Sequence, residues 1–495
     1  MASGVVAAIG EVYELFGTGV LSDSDLVFCL EEAAPADAAG APADPAAISV
    51  TAVVGQPLLG HSLVLCLASE RFRAQLCVPL GSETEVPFAR AAIGYAYTGR
   101  VAAGSVREAL GVRRQAGYLQ IDGCAAACND LLLGILEAGK VGVRTAPAPS
   151  SAAAELTECW GLMPDPVDDP SFAPVLVAAM EALVRHFGDT LAVLNTPSLR
   201  QQLLQLPAAA VEALLGSKAF GTDTEDSVLL LLATWIKANH SQTDAEARER
   251  LCQLVWLVQL SRPYLTSALL ALAADYETEA AGLPCAWFPI SVPEAGFIIA
   301  LATAPAGQET EATLRLGGPL YDTQSPWYST IPRPQCLSGA GRHFEWAISE
   351  QELREGLGRL KPERPVNVYG SFAGGDRLCA RGFEWKVMCQ VQHEATSAGC
   401  FLECAMPAAY DVPGSRLGSS SKAAATVGLE ARFAVHSWGG SARQDAFVHE
   451  FKAQRVNFAR LQPAGGVEVL AGWAAYLRDG RLGRLTGTLT LLARA

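Results

Sequence analysis

The chain has 495 residues, half of them hydrophobic, a mean hydropathy of +0.21 and a formal net charge of -14. That length exceeds one ordinary core and predicts two to four domains, while that composition excludes a mostly disordered chain. The excess of carboxylates repels phosphate backbones and argues against nucleic-acid partners; the first Lys or Arg is Arg71, and no dense basic run follows it.

The N-terminus has no basic leader, and Glu11 and Glu14 interrupt its apolar residues, so no signal peptide is expected. Residues 45–69 carry no charge, but Gly55-Gln56-Pro57, Gly60 and His61 divide them. Strand, turn and helix account for that stretch better than a membrane span. The thirteen cysteines, scattered and odd in number, read as reduced thiols of a nuclear or cytoplasmic protein.

In chain order, Leu26 to Leu30 is a short apolar run expected to be a buried strand. Residues 31–47 are a low-complexity loop of Ala, Pro, Asp, Glu and Gly, and the β-branched run Ile48 to Val54 reads as the returning strand. Leu63, Val64 and Leu67 follow at helical spacing, and Phe72 and Leu76 are expected to continue that face into a second short helix. Pro87 suits a helix start and Gly99 a helix end; Val106 to Leu119 and Asp122 to Leu136 read as two more helices.

Thr145 to Ser151 marks a linker, after which the pattern is helical to about residue 275. Thr222-Asp223-Thr224-Glu225 matches a capping box ahead of the run Val228 to Trp235, and Leu251, Leu254, Val255 and Val258 share a helix face. Residues 277–340 show little pattern and are expected to be an irregular connector. Beyond them the period changes to two. Phe383 to Val391, Leu429 to Val435, and Thr486, Thr488 and Thr490 between leucines predict an antiparallel β-sandwich.

No catalytic constellation emerges. The chain has no Gly-x-Ser-x-Gly elbow and no Walker loop, and Gly339-Ala340-Gly341 lacks the context of a dinucleotide site. Cys389, His393, Cys400 and Cys404 have spacing open to zinc, as do Cys124 and Cys128 at i, i+4, but strand faces and a helix core explain both sets without a metal. His61 opens an apolar helix and reads as a locally hydrogen-bonded residue rather than a catalytic one. Trp235, Trp256, Trp385, Trp438 and Trp473 read as core. No catalytic, metal or cofactor residue is assigned.

Three segments carry a resemblance. His61 to Phe72, flanked by Ser24-Asp25-Leu26-Val27-Phe28 and Tyr95-Ala96-Tyr97-Thr98-Gly99, resembles the BTB (POZ) fold, an α/β interaction module, over 22–138. A linker at 139–151 precedes residues 152–275, which resemble the all-α BACK domain through Leu206-Pro207, Thr224-Glu225-Asp226, Trp235, Arg248, Arg250-Leu251 and Leu260-Ser261-Arg262-Pro263-Tyr264-Leu265. After the connector at 276–339, residues 340–495 look like a MATH (TRAF-like) sandwich through Trp473-Ala474-Ala475-Tyr476-Leu477 and Leu485 to Leu491. With Pro332-Arg333-Pro334-Gln335-Cys336, the whole multidomain α+β arrangement is similar to the plant POB1 and light-response BTB proteins.

That resemblance implies a non-enzymatic substrate adaptor of a ubiquitin ligase: a homodimer that recruits a type-3 cullin and holds a protein substrate, in the nucleus or cytoplasm. It implies Asp25 and His61 at the dimer interface, with Phe72, Leu76, Leu80, Ser82 and Glu83 facing the cullin, and substrate-specifying loops at 406–428 and 439–446. This chain has Leu80-Gly81-Ser82 where cullin-binding BTB domains usually place an apolar-x-Glu triplet, and its stretch from Glu85 to Tyr95 is short. A BTB scaffold without cullin binding, and an enzyme in the C-terminal domain, are the alternative readings.

Overall fold

The computed structural model describes residues 15–31, 50–74, 77–138, 152–165, 167–278, 283–304, 315, 318–362, 364–392, 398–417, 426–439, 442–457 and 484–493. The chain forms two compact units, 1–186 and 187–495. The boundary falls inside the helical segment read from the sequence as 152–275. The linker expected at 139–151 lies outside the described residues, as does nearly all of the loop 31–47.

In the first unit, β1 (Ser24–Glu31) pairs antiparallel with β2 (Val50–Val53) and β3 (Leu58–Gly60). Helices α1 (Ser62–Ala68) and α2 (Glu70–Ala74) follow, and β4 (Cys77–Leu80) returns parallel to β1. Then come α3 (Val86–Thr98), α4 (Val106–Leu119) and α5 (Cys124–Ala138). Pro lies in the first turn of α3, and Gly99 ends it at φ 60, a left-handed conformation that suits glycine. Leu26, Phe28, Leu65, Phe72, Val78, Ile93 and Leu119 belong to one core.

Two further helices, α6 (Ala152–Cys159) and α7 (Ala173–Phe187), follow. The Glu155 carboxylate of α6 accepts hydrogen bonds from the Val106 and Arg107 amides, which the start of α4 leaves without intrahelical partners. Arg113 of α4 bonds Asn129 of α5 at 2.7 Å, pairs with Asp169 and lies over the Phe172 ring. These contacts bind residues 152–172 to α4 and α5.

The second unit opens with α8 (Thr190–Asn195), α9 (Pro197–Gln205), α10 (Ala208–Gly216), α11 (Glu225–Asn239) and α12 (Ala245–Gln253). A π-helical stretch, Tyr264–Leu269, runs into α13 (Leu270–Thr278). Helix α12 stops at Gln253, so the face expected to run from Leu251 to Val258 is broken by a turn and a short 3-10 segment. The stretch expected to be an irregular connector holds α14 (Val292–Thr303) and supplies buried Trp287, Phe288 and Trp327; Trp327 Nε1 donates to Cys252 O.

A connected antiparallel sheet of eight strands follows: β5 (Arg342–Ile348), β6 (Val366–Phe372), β7 (Leu378–Ala380), β8 (Phe383–Val391), β9 (Ala398–Ala405), β10 (Thr426–Gly439), β11 (Ala442–Asn457) and β12 (Leu485–Leu491). One helix, α15 (Glu350–Gly358), lies between β5 and β6 and carries a capping box at Ser349 and Glu352. The order is β11-β10-β12-β5-β6-β8-β7, with β9 also on β8. Trp346 stacks on Phe433 at 5.3 Å. Gly487 is opposite Trp346, where a Cβ would stand 2.1 Å from that ring.

Candidate interaction surfaces

In the first unit Asp23, His61 and Tyr97 organise the entry to α1. The Asp23 carboxylate accepts from Ser62 N at 2.7 Å and from Ser62 Oγ at 2.5 Å, bonds that hold its pKa below the usual carboxylate range. The backbone N–H of His61 donates to Tyr97 Oη at 2.8 Å, and the ring Nε2 lies 2.8 Å from Val20 O. His61 is therefore buried at the helix start with its contacts local, while Asp25 is exposed on β1, opposite Leu59.

The face of α1 differs from the expected one. Leu65 is the side chain that enters the core, and Leu63 and Leu67 are 72% and 67% exposed. The reason is the β3–α1 junction: with Ser62 pinned to Asp23 and His61 to Tyr97, the helix starts in a rotation that aims Leu65 inward. Val20, Leu21, Val53 and Leu59 are exposed as well, and the Val20 carbonyl sits on His61. Exposed leucines one helical turn apart form a stripe that a partner can cover.

The residues expected to face a cullin separate into two kinds. Phe72 and Leu80 are core side chains, 2% and 1% exposed, so neither side chain is available to a partner. Leu76 lies outside the described residues. Ser82 and Glu83 sit on the surface, at the entry to a 3-10 turn Glu83–Glu85 that leads into α3. Ser82 Oγ lies 2.7 Å from Thr84 Oγ1, and Gly81 N donates to Glu85 Oε2 at 3.0 Å, fixing the loop.

In the second unit the N-terminus of α11 gathers buried charge. The Thr222–Glu225 capping box does not form: α11 starts at Glu225, so that glutamate occupies the first helical position instead of the third. Its carboxylate meets Arg333 Nε at 3.0 Å and accepts from Trp256 N, and Arg333 further donates to Leu215 O and Leu254 O while stacking over the Trp256 ring. Asp223 accepts from Arg381 N at 2.6 Å and Ser227 Oγ from Gly382 N at 3.0 Å; Tyr264 Oη donates to Gly382 O. Arg381 and Gly382 both have positive φ, as a tight two-residue β7–β8 turn requires. Burial pushes the Asp223 and Glu225 carboxyls up, against the pull of Arg381 and Arg333.

More links join the helices of this unit to its sheet. Nη1 of Arg342, at the start of β5, donates to both carboxylate oxygens of Asp189 at 2.7 and 2.9 Å, and the Asn195 side chain exchanges two 2.7 Å hydrogen bonds with the Cys379 backbone of β7. Arg416 pairs with buried Asp275 at 2.6 Å, and Lys237 Nζ donates to the carbonyls of Ala408 and Asp411. Polar contacts, buried at Asp223 and Gly382 and partly exposed elsewhere, thus join the helices of this unit to its sheet and to segment 406–417.

Of the loops expected to carry specificity, 439–446 is strand wherever it is described, with Gly439 at the end of β10 paired with Ala442 at the start of β11; residues 440–441 lie outside the described residues, as do 418–425 of the other loop. Segment 406–417 contains a short 3-10 turn and rests on Lys237 and Asp275. Cys389 and Cys400 face each other across β8 and β9, and Cys404 is opposite Trp385; all three are buried, and His393 lies outside the described residues. The thiol contact with Cys389 and burial together push the Cys400 thiol up. Among the described residues no group of three or more His, Cys, Asp or Glu could hold a metal, and no helix is long and apolar enough to cross a membrane.

Fold and surfaces define a two-unit α+β protein whose first unit exposes an apolar stripe and whose second unit fuses helices to a sheet. Residues 189–270 match the family model of the BACK domain, described as BTB And C-terminal Kelch. The match starts two residues after the second unit begins and takes in α8 to α12 and the Tyr264 stretch. No curated protein matches the chain.

Proposed function

We propose that the chain is a non-enzymatic BTB–BACK adaptor, acting in the nucleus or cytoplasm, that presents a protein substrate to a ubiquitin ligase built on a type-3 cullin. The observation that carries the reading is the BACK match at 189–270 following a unit with the BTB-like order of elements. In this reading the stripe of Leu63 and Leu67, near Asp25 and His61, meets a second copy, and the surface at Ser82 and Glu83 meets the cullin. The sheet from β5 to β12, read as MATH-like and of the POB1 type, holds the substrate. Part of the resemblance behind that last assignment, Trp473 to Leu477, lies outside the described residues. Avidity favours such an arrangement, since a dimer makes the second contact intramolecular.

The departure at Ser82 supports a second reading, a BTB–BACK scaffold that binds no cullin. Binding of purified full-length chain to immobilised type-3 cullin tests the two. Retention of the cullin by the wild type supports the adaptor. No retention by the wild type together with capture by Ser82→Glu supports the scaffold that lost this contact, and no retention by either variant removes the cullin from the account.

A further inference from the structure

One ionisable ring is buried where β10, β11 and β12 meet. His436 follows a register shift in β10, and its partner across the ladder is Asp445 of β11. Two hydroxyls of β12 clamp the ring: Thr486 Oγ1 is 3.2 Å from Nδ1 and Thr488 Oγ1 is 2.9 Å from Nε2. Trp438 closes one edge, and its Nε1 donates to Thr486 Oγ1 at 3.3 Å. Nε2 is 3.7 Å from Asp445 Oδ1, and Arg432 of β10 stands 3.8 Å from the other oxygen, so neither cation site holds that carboxylate at hydrogen-bond distance. The His436 side chain is 3% exposed and that of Asp445 45%. The other charges facing this corner among the described residues are Arg443 of β11 and Glu345 of β5, paired at 2.9 Å; His343 of β5 is engaged with Thr490, and β12 contributes only hydroxyls.

We propose that His436, clamped by Thr486 and Thr488, forms a proton-sensitive latch of β10 onto β12, closed while the ring is neutral and loosened when it takes a proton. A neutral imidazole needs one donor and one acceptor as neighbours, and two rotatable hydroxyls supply them. An imidazolium has two donors and no acceptor, and it brings a full charge into a site nearly closed to water, with only a half-exposed, screened carboxylate to offset it. Burial, then Arg443, hold the ring's pKa below its ordinary value, against Asp445 and Glu345. The sign follows. The unfolded ring takes its proton at pH ~6.5 and the folded ring only at lower pH, so the contribution is present above ~6.5 and is lost as pH falls from there through the folded value. The proposal stands whether or not the chain binds a cullin.

Amide hydrogen exchange of residues 431–438 and 485–491 in the full chain tests it, at pH 7.5 and 5.5, with intrinsic rates corrected, for wild type and His436→Gln. Glutamine keeps a donor and an acceptor but does not titrate. Wild-type protection is expected to fall by up to about tenfold between the two pH values, with the variant unchanged. An equal fall in both proteins, or none in the wild type, overturns the latch. Direct titration of the His436 ring by NMR covers the case of a variant that fails to fold: a midpoint below ~6.5 supports the proposal, and one at or above it overturns it.

Discussion

Arg333 and Glu225, 108 positions apart, meet as an ion pair with 3.0 Å between Nε and Oε2, each side chain 2% exposed. The pair ties the segment before the sheet to the first residue of α11. Removing one partner leaves a buried charge, which costs about 3–5 kcal/mol, whereas removing both costs less because no orphan remains. Arg333→Met is expected to lower unfolding stability by that amount, and Arg333→Met with Glu225→Gln to recover part of it. Urea denaturation of the full chain reads both; a single-variant loss under about 1 kcal/mol contradicts the assignment.

Asp223 gives a pH signature of opposite sense to an ordinary ion-paired carboxylate. Burial raises its folded pKa, so its contribution is full below the unfolded value near ~3.8 and lost as pH rises through the folded one. Asn in its place accepts from Arg381 N without a charge. The stability of Asp223→Asn relative to wild type is therefore expected to rise as pH increases from about 4 toward neutrality. Melting curves across that range check it, and a difference that shrinks with rising pH contradicts the burial argument.

Two glycines test the packing of the sheet. A Cβ on Gly487 would stand 2.1 Å from Trp346 and 2.2 Å from Ala434 O, and one on Gly382, at φ +76, would stand 2.5 Å from Asp226 Cβ. Gly487→Ala is expected to cost about 1–3 kcal/mol by overpacking. Gly382→Ala adds the strain of the left-handed turn and loosens the β7–β8 tip from α11. Near-wild-type melting of both variants would contradict the close approaches.

Leu63 and Leu67 separate stability from assembly. Both are exposed on α1, so Leu63→Glu with Leu67→Glu should change monomer stability by no more than about 0.5 kcal/mol per site. On the proposed function the same pair of changes converts a dimer into a monomer in light scattering. A wild-type monomer, or a variant that stays dimeric, argues against a second copy on this stripe.

Much of the local structure was legible because it is written locally. Helix α4 matches its reading end to end, and Phe383 to Val391 forms β8 as its alternation predicts. The misreadings arise where a distant residue decides. Glu225 looked like a cap until Arg333, far along the chain, claimed it, and Leu63 looked like core because its spacing to Leu67 carries no sign of which face turns inward. Residues 277–340 lacked a period because their order comes from packing Trp287, Phe288 and Trp327 among helices. Arg381 and Gly382 carried no signal at all, since their role is set by the N-terminus of α11.

The most direct test of the adaptor account is the light-scattering mass of purified full-length chain mixed with purified type-3 cullin. The account predicts one complex holding two copies of each protein. A clean dimer of the chain eluting apart from free cullin, at concentrations well above micromolar, would contradict it.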